Sequence, residues 1–410
     1  MKKIYKSYKF RIYPTKIQIE LLNKHFGACR FIYNYYLNQR KESYLNNKKY
    51  INYYDNQKDL TQIKKLNEYN WLNKINSQSL QYSLRNLDIS YNKFFRKQSK
   101  FPRFKSKKDN HNSFTIPQNI IIENNRLYIP KFKEGIKIKQ YQVINNDNIL
   151  FATISKSPTN KYYVSITCEI DYEPYNKTNS NIGVDTGIKD LAILSNGKIY
   201  KNIKTLKINL KKLKYNQRQL SKKIKGSNNR NKQKYKLNKI YEKITNIRKD
   251  HLHKVTTDII KNHDIICIED LAVKNIMKNH CLAQSMNDVS LGTFYSMLKY
   301  KADWNDKTVV KIDRFFPSSK TCNVCNYINQ DLTLKDREWK CPICNTIHDR
   351  DINAAKNILK QGINTLNILS GSGIESDIKQ KQVEALPLGK SVKSEINQFD
   401  NSIQYIILNH

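Results

Sequence analysis

Two Cys-x2-Cys pairs, Cys322 with Cys325 and Cys341 with Cys344, stand fifteen residues apart, and no other feature of the chain restricts its local fold as tightly. Two such knuckles bring four thiolates to one tetrahedral point, the donor set of a structural zinc site. The intervening INQDLTLKDREW segment suits a short hairpin. A rubredoxin-like iron site would use the same donors, but nothing else in the sequence suggests electron transfer. Four thiolates close the coordination shell, so the nearby His348 is read as a second-sphere partner or a nucleic-acid contact. The remaining cysteines, Cys29, Cys168, Cys267 and Cys281, follow no pattern. Cys29 and Cys267 lie among apolar residues and read as buried thiols. This usage fits a reducing compartment, and a cytoplasmic location is expected.

The module sits in a strongly basic chain of 410 residues, long enough for two or three domains. Lys and Arg total 73 against 35 Asp and Glu, a formal charge of +38. An AT-biased genome explains Lys in place of Arg, but not so few acids. The balance points to a polyanionic partner. The basic N-terminus is not followed by an apolar run, and no run reaches eighteen apolar residues, so neither signal peptide nor membrane partner is expected.

Residues 5–14 read as a strand ended by Pro14, with Thr15 as the cap of a following helix. Helical patterning runs to about Phe95 and predicts a bundle of several helices. From Phe101 the chain turns basic and aromatic, then breaks into strand-like runs up to residue 170, which predict a β module, possible as a small barrel with the helices inserted. Residues 172–180 read as a linker. A second domain opens with the strand NIGVDTG and continues through a hairpin at Asn196-Gly197. A basic helical region, 205–260, should break into a hairpin at GSNNRN. DIICIED and KTVVKIDRFF read as strands, residues 285–304 as one helix, and DINAAKNILKQGI as the last helix. The segment 371–410 lacks periodicity and is expected to be a disordered tail.

Three acids stand out by context. Asp185 ends the apolar run of IGVDTG, Glu269 ends Ile265-Ile266-Cys267-Ile268, and Asp351 precedes INAAKN. A charge at the edge of a buried strand needs a partner or a metal. Ordinary caps and strand-end solvation are the competing explanation. A strand-end carboxylate, a central acidic strand and an acid at a helix start resemble an RNase H-like nuclease core, a mixed α/β sheet flanked by helices. Phosphodiester hydrolysis can use two divalent ions about 4 Å apart, held by carboxylate oxygen, and Asp185 is the candidate bridging ligand. Of the neighbouring acids, Asp190 should face a turn or pair with local lysines, and Asp270 should point away from Glu269 if both are on a strand. Asp351 is favoured over Asp349 because it can cap the last helix. Asn353 and Asn357 share a helix face and either orient Asp351, contact phosphate or act structurally. Nucleic-acid contact candidates are Lys9, Arg11, Lys16 and Arg30; then Arg103, Lys105, Lys107 and Lys108, interleaved with Phe101 and Phe104; and the basic run from Lys211 to Lys239. The two phenylalanines serve equally well as core anchors, and Phe31, Tyr33, Tyr35 and Tyr36 read as core.

With KFRIYPTKIQ, FGACRFIYNYYL, FPRFKSKK, GVDTGIKDLA, IEDLAVKN, DRFFPSSKTCNVC and CPICNTIHDRDINAAKNIL on the page, the chain resembles the TnpB (OrfB) family of transposon-encoded proteins, relatives of type V CRISPR effectors, from about Lys9 to Leu369. The resemblance implies an RNA-guided, RuvC-like DNA endonuclease. Its catalytic, Mg²⁺- or Mn²⁺-binding acids map to Asp185, Glu269 and Asp351, and its zinc ligands to Cys322, Cys325, Cys341 and Cys344. It implies a multidomain α/β and α+β fold: a wedge-like β barrel at 1–15 and 100–172, a helical recognition domain at 16–99, a RuvC-like domain at 181–317 and 349–369, and a zinc ribbon at 318–348. Implied partners are a transposon-derived guide RNA, single- or double-stranded target DNA, and possible association with a separate element-encoded transposase, with the protein on the bacterial nucleoid when DNA-bound. His251-Leu252-His253, the only His-x-His, lies in the basic helical region, so strand transfer by this chain is not expected. The alternative is a guide-RNA-dependent regulator or transposition accessory protein that does not cut.

Overall fold

The computed structural model describes residues 1–109, 112–271, 273–276, 278–333 and 335–371. Its described residues form two compact units, residues 3–171 and residues 172–371 with Met1 and Lys2. The expected tail lies outside the described residues apart from Gly371.

The first unit starts with strand β1 (Lys2–Tyr13), which buries Ile4, Tyr8, Phe10 and Ile12 and turns Tyr5, Lys9 and Tyr13 outward. This is the two-residue period of a half-buried strand. Pro14 ends it, and Thr15 caps helix α1 (Lys16–Asn47) as the sequence predicts. The Thr15 hydroxyl accepts from the Gln18 N–H at 3.3 Å, while the Gln18 side chain accepts from the Thr15 N–H at 3.0 Å. Helices α2 (Tyr53–Ile63) and α3 (Ser77–Phe95) complete the bundle. Buried Arg40 ties them together, donating to Asn56 at 2.6 Å and to Asp88 at 3.2 Å.

Strands β2 (Asn112–Ile116), β3 (Ile121–Glu123), β4 (Arg126–Ile129), β5 (Phe132–Lys139), β6 (Ile149–Lys156) and β7 (Tyr162–Tyr172) join β1 in one sheet, ordered β2-β6-β7-β1-β5-β4-β3. The expected barrel is not closed: β2 and β3 are opposite edges of that order among the described residues. The apolar face that closure would wrap inward is covered instead by helices. Phe26 of α1 meets Phe114 of β2 edge-on at 5.4 Å, His25 meets it tilted at 5.0 Å, and His25 also reaches Phe132 of β5.

The second unit is built on a mixed five-stranded sheet, ordered β10-β9-β8-β11-β12, from β8 (Asn181–Asp185), β9 (Asp190–Leu194), β10 (Ile199–Lys201), β11 (Ile265–Glu269) and β12 (Thr308–Ile312). The first three strands are antiparallel, and β11 runs parallel to both β8 and β12. The β9–β10 turn falls at Asn196-Gly197, where Gly197 takes φ +88°. Helices α4 (Thr205–Ser221) and α5 (Asn228–Asn262) form the expected hairpin. Their break occupies residues 222–227, so most of GSNNRN already belongs to α5, capped by Ser227.

The predicted single helix at 285–304 is two. Short α6 (Val273–Ile276) precedes α7 (His280–Val289), and α8 (Leu291–Trp304) follows after Ser290, which adopts φ 59°. That left-handed residue interrupts the helix and lets buried Asp288 meet α4 and α5. Asp288 accepts the Leu206 and Lys207 N–H groups at 2.9 and 3.1 Å and pairs with Arg248 at 3.1 Å.

Two helical layers cover the sheet. Ile182, Val184, Ile266 and Ile268 pack on α5 and α8 through Ile259, Ile260, Phe294 and Leu298. The alternate residues face the last helix, α9 (Arg350–Gly371), with Cys267 packed near Ile358 and Leu359. The approach is close: a Cβ on Gly183 would lie 1.9 Å from the Ala355 carbonyl oxygen, and one on Gly362 would lie 2.3 Å from Cys267 Sγ. Glycine is required at both positions by packing. Between β12 and α9 the chain forms a module with strands β13 (Glu338–Lys340) and β14 (Ile347–Asp349) paired antiparallel.

Candidate metal and nucleic-acid sites

Strand parity assembles the acids. Asp185 shares the Gly183 side of β8, and Glu269 shares the Cys267 side of β11, so both face the α9 layer. Val184 pairs with Ile268, which places the two acids one step beyond the same register position. Asp351 enters from the first turn of α9. The three carboxylates, 84 and 82 residues apart in sequence, thus gather at one end of the sheet.

The electrostatics are those of crowded carboxylates. Burial, then the nearby Asp351 and Glu269 charges, push the Asp185 carboxyl up to about 7. Burial also raises Glu269. Asp351 is neutralised differently: Arg337 donates to Oδ2 at 3.0 Å and Arg350 to Oδ1 at 3.1 and 3.2 Å. Behind Asp185, the Thr186 hydroxyl meets half-buried Tyr295 of α8 at 2.6 Å, fixing the turn that follows the carboxylate. Asp185 and Asp351 open onto a cavity of about 710 Å³, also lined by Lys189, Lys204, Lys207, Arg337 and Arg350. Oxygen donors of this kind suit a hard divalent cation.

Several expectations change here. Asp349, not Asp351, caps α9: its Oδ1 accepts the N–H groups of Asp351 and Ile352 at 3.0 and 2.9 Å. The Asp351 carboxylate is consequently free of capping and turned to the arginines. Asp190 pairs with Lys201 at 3.1 Å, one of its two expected roles, and Asp270, just beyond β11, pairs with Lys311 and Arg314 at 3.0 and 2.8 Å. Asn353 and Asn357 are buried struts. Asn353 binds the Thr321 carbonyl and the Asn323 N–H, and Asn357 binds the carbonyls of Ser318 and Thr321. Arg337, Arg350 and Tyr295 were not singled out from the sequence. Arg350 carried a signal in its position beside Asp351, whereas Arg337 and Tyr295 reach the site only through the fold.

The struts lead into the cysteine module. The ligand sulfurs of Cys322, Cys325, Cys341 and Cys344 all lie within 4.8 Å of one another. The knuckles repeat one geometry: Asn326 and Asn345 bond back to the carbonyls of Cys322 and Cys341 at 2.9 Å, with φ of 64° and 58°. This four-cysteine cluster has the form of a zinc-binding module. His348 is buried with Nε2 at 3.1 Å from Cys322 Sγ, a second-sphere position. Among the described residues the thiols are the one group with three or more such ligand atoms gathered that closely.

In the other unit, Lys9 and Arg11 of β1 lie over the Tyr163 ring at 4.5 and 5.3 Å, on the outer sheet face. Lys16 is exposed at the start of α1, and Arg103, Lys107 and Lys108 are exposed in the 101–109 segment. Arg30 and Lys105 line a cavity of about 350 Å³; Arg30 binds Asn112, and the Lys105 ammonium sits 3.9 Å from the Tyr33 ring centroid. Phe101 is an anchor against Tyr91 and Phe94, while Phe104 stays exposed.

The mixed sheet thus carries acids at the ends of two neighbouring strands, with a four-cysteine module between β12 and α9. Residues 163–280 match the OrfB/IS605 family described as "Probable transposase", residues 292–358 match the "Cas12f1-like, TNB domain", and residues 1–49 match the family's "Helix-turn-helix domain". That last segment folds as a strand and one long helix. The chain is 35% identical over 365 residues to a "Putative RNA-guided DNA endonuclease" of Streptomyces pristinaespiralis, covering 88% of this chain and 90% of the relative. It is 34% identical to "Putative RNA-guided DNA endonuclease InsQ" of Escherichia coli K12, covering 87% and 92%. The fold also matches a solved Cas12f1–sgRNA–target DNA complex with TM-score 0.53 at 14% identity, over 87% of this chain and 98% of that one. The chain belongs to the TnpB (OrfB) family of RNA-guided nucleases. No helix among the described residues is long and apolar enough to cross a membrane.

Proposed function

We propose that the protein is an RNA-guided, divalent-metal-dependent DNA endonuclease of a transposable element, with Asp185, Glu269 and Asp351 as its catalytic acids. The observation that carries this reading is the convergence of these three carboxylates, from two neighbouring strands and a helix start, on the face covered by α9. A divalent pair, Mg²⁺ or Mn²⁺, would supply an activated water and charge neutralisation at the leaving oxygen. Asp185 feels the charge of both other acids and is the ligand suited to sharing. Burial and like charge make it bind a proton in the absence of a cation, which means the site gains most from a cation when Asp185 is ionised. Arg337 and Arg350 keep Asp351 oriented toward the cavity.

The four cysteines would hold a structural Zn²⁺, which fixes the chain from Ser318 to Asp351. The partners are a transposon-derived guide RNA and target DNA: base pairing supplies sequence specificity, and the protein holds the hybrid through shape and backbone charge. In the other unit, Lys9, Arg11, Lys16, Arg30, Arg103, Lys105, Lys107 and Lys108 are proposed phosphate contacts. The test is to sequence RNA that copurifies with the full chain and to challenge that complex with a randomised DNA library in Mg²⁺. One discrete element-derived RNA with cuts only at matching targets is expected. A discrete RNA with matched binding and no cutting would instead establish the regulatory alternative.

A further inference from the structure

The cavity beside Asp185 holds five cationic side chains, and they divide sharply. Arg337 and Arg350 are committed to Asp351. Lys189, Lys204 and Lys207 are exposed, and none of them forms an ion pair among the described residues. Lys204 and Lys207 begin a longer row. Lys207, Lys211, Lys214 and Arg218 recur at three- and four-residue steps, which puts them on one face of α4, and Lys204 precedes them at its N-cap. All five are exposed, while Leu213 and Asn216 turn the neighbouring face into α5. At 1.5 Å per residue the row runs about 21 Å from the cavity along α4.

The start of the row is fixed rather than loose. Asp288 accepts the N–H groups of Leu206 and Lys207 and is itself held by Arg248. The Asn202 side chain accepts the Lys204 N–H at 3.0 Å and donates to the Ile188 carbonyl at 2.8 Å. Lys204 adopts φ 45°, a left-handed conformation that favours glycine or asparagine, yet a lysine occupies it.

We infer that Lys204, Lys207, Lys211, Lys214 and Arg218 form a track for the phosphates of one DNA strand, leading it into the carboxylate cavity. The inference rests on the nuclease reading and adds to it the path of the substrate. The cavity's volume, about 710 Å³, falls within the range of pockets that enclose one small ligand, a scale that suits a single strand better than a duplex. Contacts are to phosphate, so the track is indifferent to sequence. These are positioning residues: they hold the strand and do not touch the reacting atoms.

Crosslinking tests the track without relying on cleavage. A photoreactive p-benzoylphenylalanine replaces Lys207 or Lys214 in the full chain carrying D185A, complexed with its copurified RNA and a matched target. Adducts to a displaced or opened DNA strand are expected. Adducts to the RNA, or to intact duplex alone, would overturn the inference. In an otherwise wild-type chain, K207E/K211E/K214E/R218E should slow single-turnover cutting of preformed complexes about 10-fold or more, with RNA retention and target opening unchanged. The deficit should be widest at low salt and narrow as salt rises, because the log–log salt slope should flatten by about 0.7 for each phosphate contact removed. The glutamine series, which keeps side-chain length, should show the same order with smaller losses. An unchanged rate in both series, or equal loss of RNA, would also overturn it. Full cutting by D185A would refute the nuclease reading while leaving the crosslink informative about the track.

Discussion

The cysteine module and the acidic cluster each gather like ligands, and they do so by opposite means. The four thiols converge within 4.8 Å through local knuckles, whose repeated back-bonds at Asn326 and Asn345 need only a few residues each. The three carboxylates come from β8, β11 and α9 and meet only when the sheet and its helical layer are complete. Burial, and then their mutual repulsion, push Asp185 up to about 7, and two arginines pair with Asp351. A structural metal site can be closed, local and relaxed. A site poised for chemistry stays open, depends on the whole fold, and is costly to assemble without its cations.

The two regions are joined, which makes the contrast testable. Asn353 and Asn357 bind the chain at 318–323 to α9, and Arg337 of the module reaches Asp351. The largest effect should come from the local site. Structural zinc binds small modules with apparent free energies of about 10–16 kcal/mol. C322S/C325S should therefore lose one Zn²⁺ per chain by elemental analysis and lower the melting temperature. It should also abolish cutting by releasing Asp351, although no carboxylate is changed. Full cutting by zinc-free protein would separate the two regions and break this link.

The next effect concerns the cost of the acidic cluster. The Asp185 carboxyl is raised from the usual carboxylate range to about 7 in the native state. The folded protein thus holds this proton more tightly than the unfolded chain. That contribution to stability is complete below about pH 4 and is lost as pH rises through about 7. D185N, always neutral, should stabilise protein without added divalent ions at pH 8 by about 2–3 kcal/mol, a value reduced from the full shift for the solvent the cavity admits. The gain should vanish by pH 4. Equal melting-temperature differences at both values would contradict the assignment of the shift to this carboxyl.

A smaller effect should follow at the struts. N357A leaves the Ser318 and Thr321 carbonyls without their side-chain donor and should cost about 1–3 kcal/mol in denaturant unfolding. Zinc content should remain at one per chain, because the knuckles close without α9. Loss of zinc from this variant would mean that the module is less self-contained than its geometry indicates.

Legibility in the sequence follows the same division. The knuckles, the Thr15 cap and the Asn196-Gly197 turn were readable because each is decided within a few residues. Asp185 and Glu269 were readable as charges ending apolar strands, and strand parity then turns both to one face. Asp351 was selected for a capping role that Asp349 performs, because adjacent acids at a helix start look alike until the N–H directions are known. Arg337 and Tyr295 were invisible, since their partners lie 14 and 109 residues away. The barrel failed because alternation reveals that a sheet has one apolar face, but not whether another strand or a helix covers it.

The central claim, that Asp185, Glu269 and Asp351 are the cutting site of a guided nuclease, is most directly tested by single-turnover cleavage of a matched DNA target in Mg²⁺. Complexes of wild-type, D185A, E269A and D351A chains with the same copurified RNA should bind the target equally. Each variant should cut on the order of 10³-fold more slowly or worse. Wild-type cutting by any one of the three would remove that residue from the site, and wild-type cutting by D185A would contradict the account as a whole.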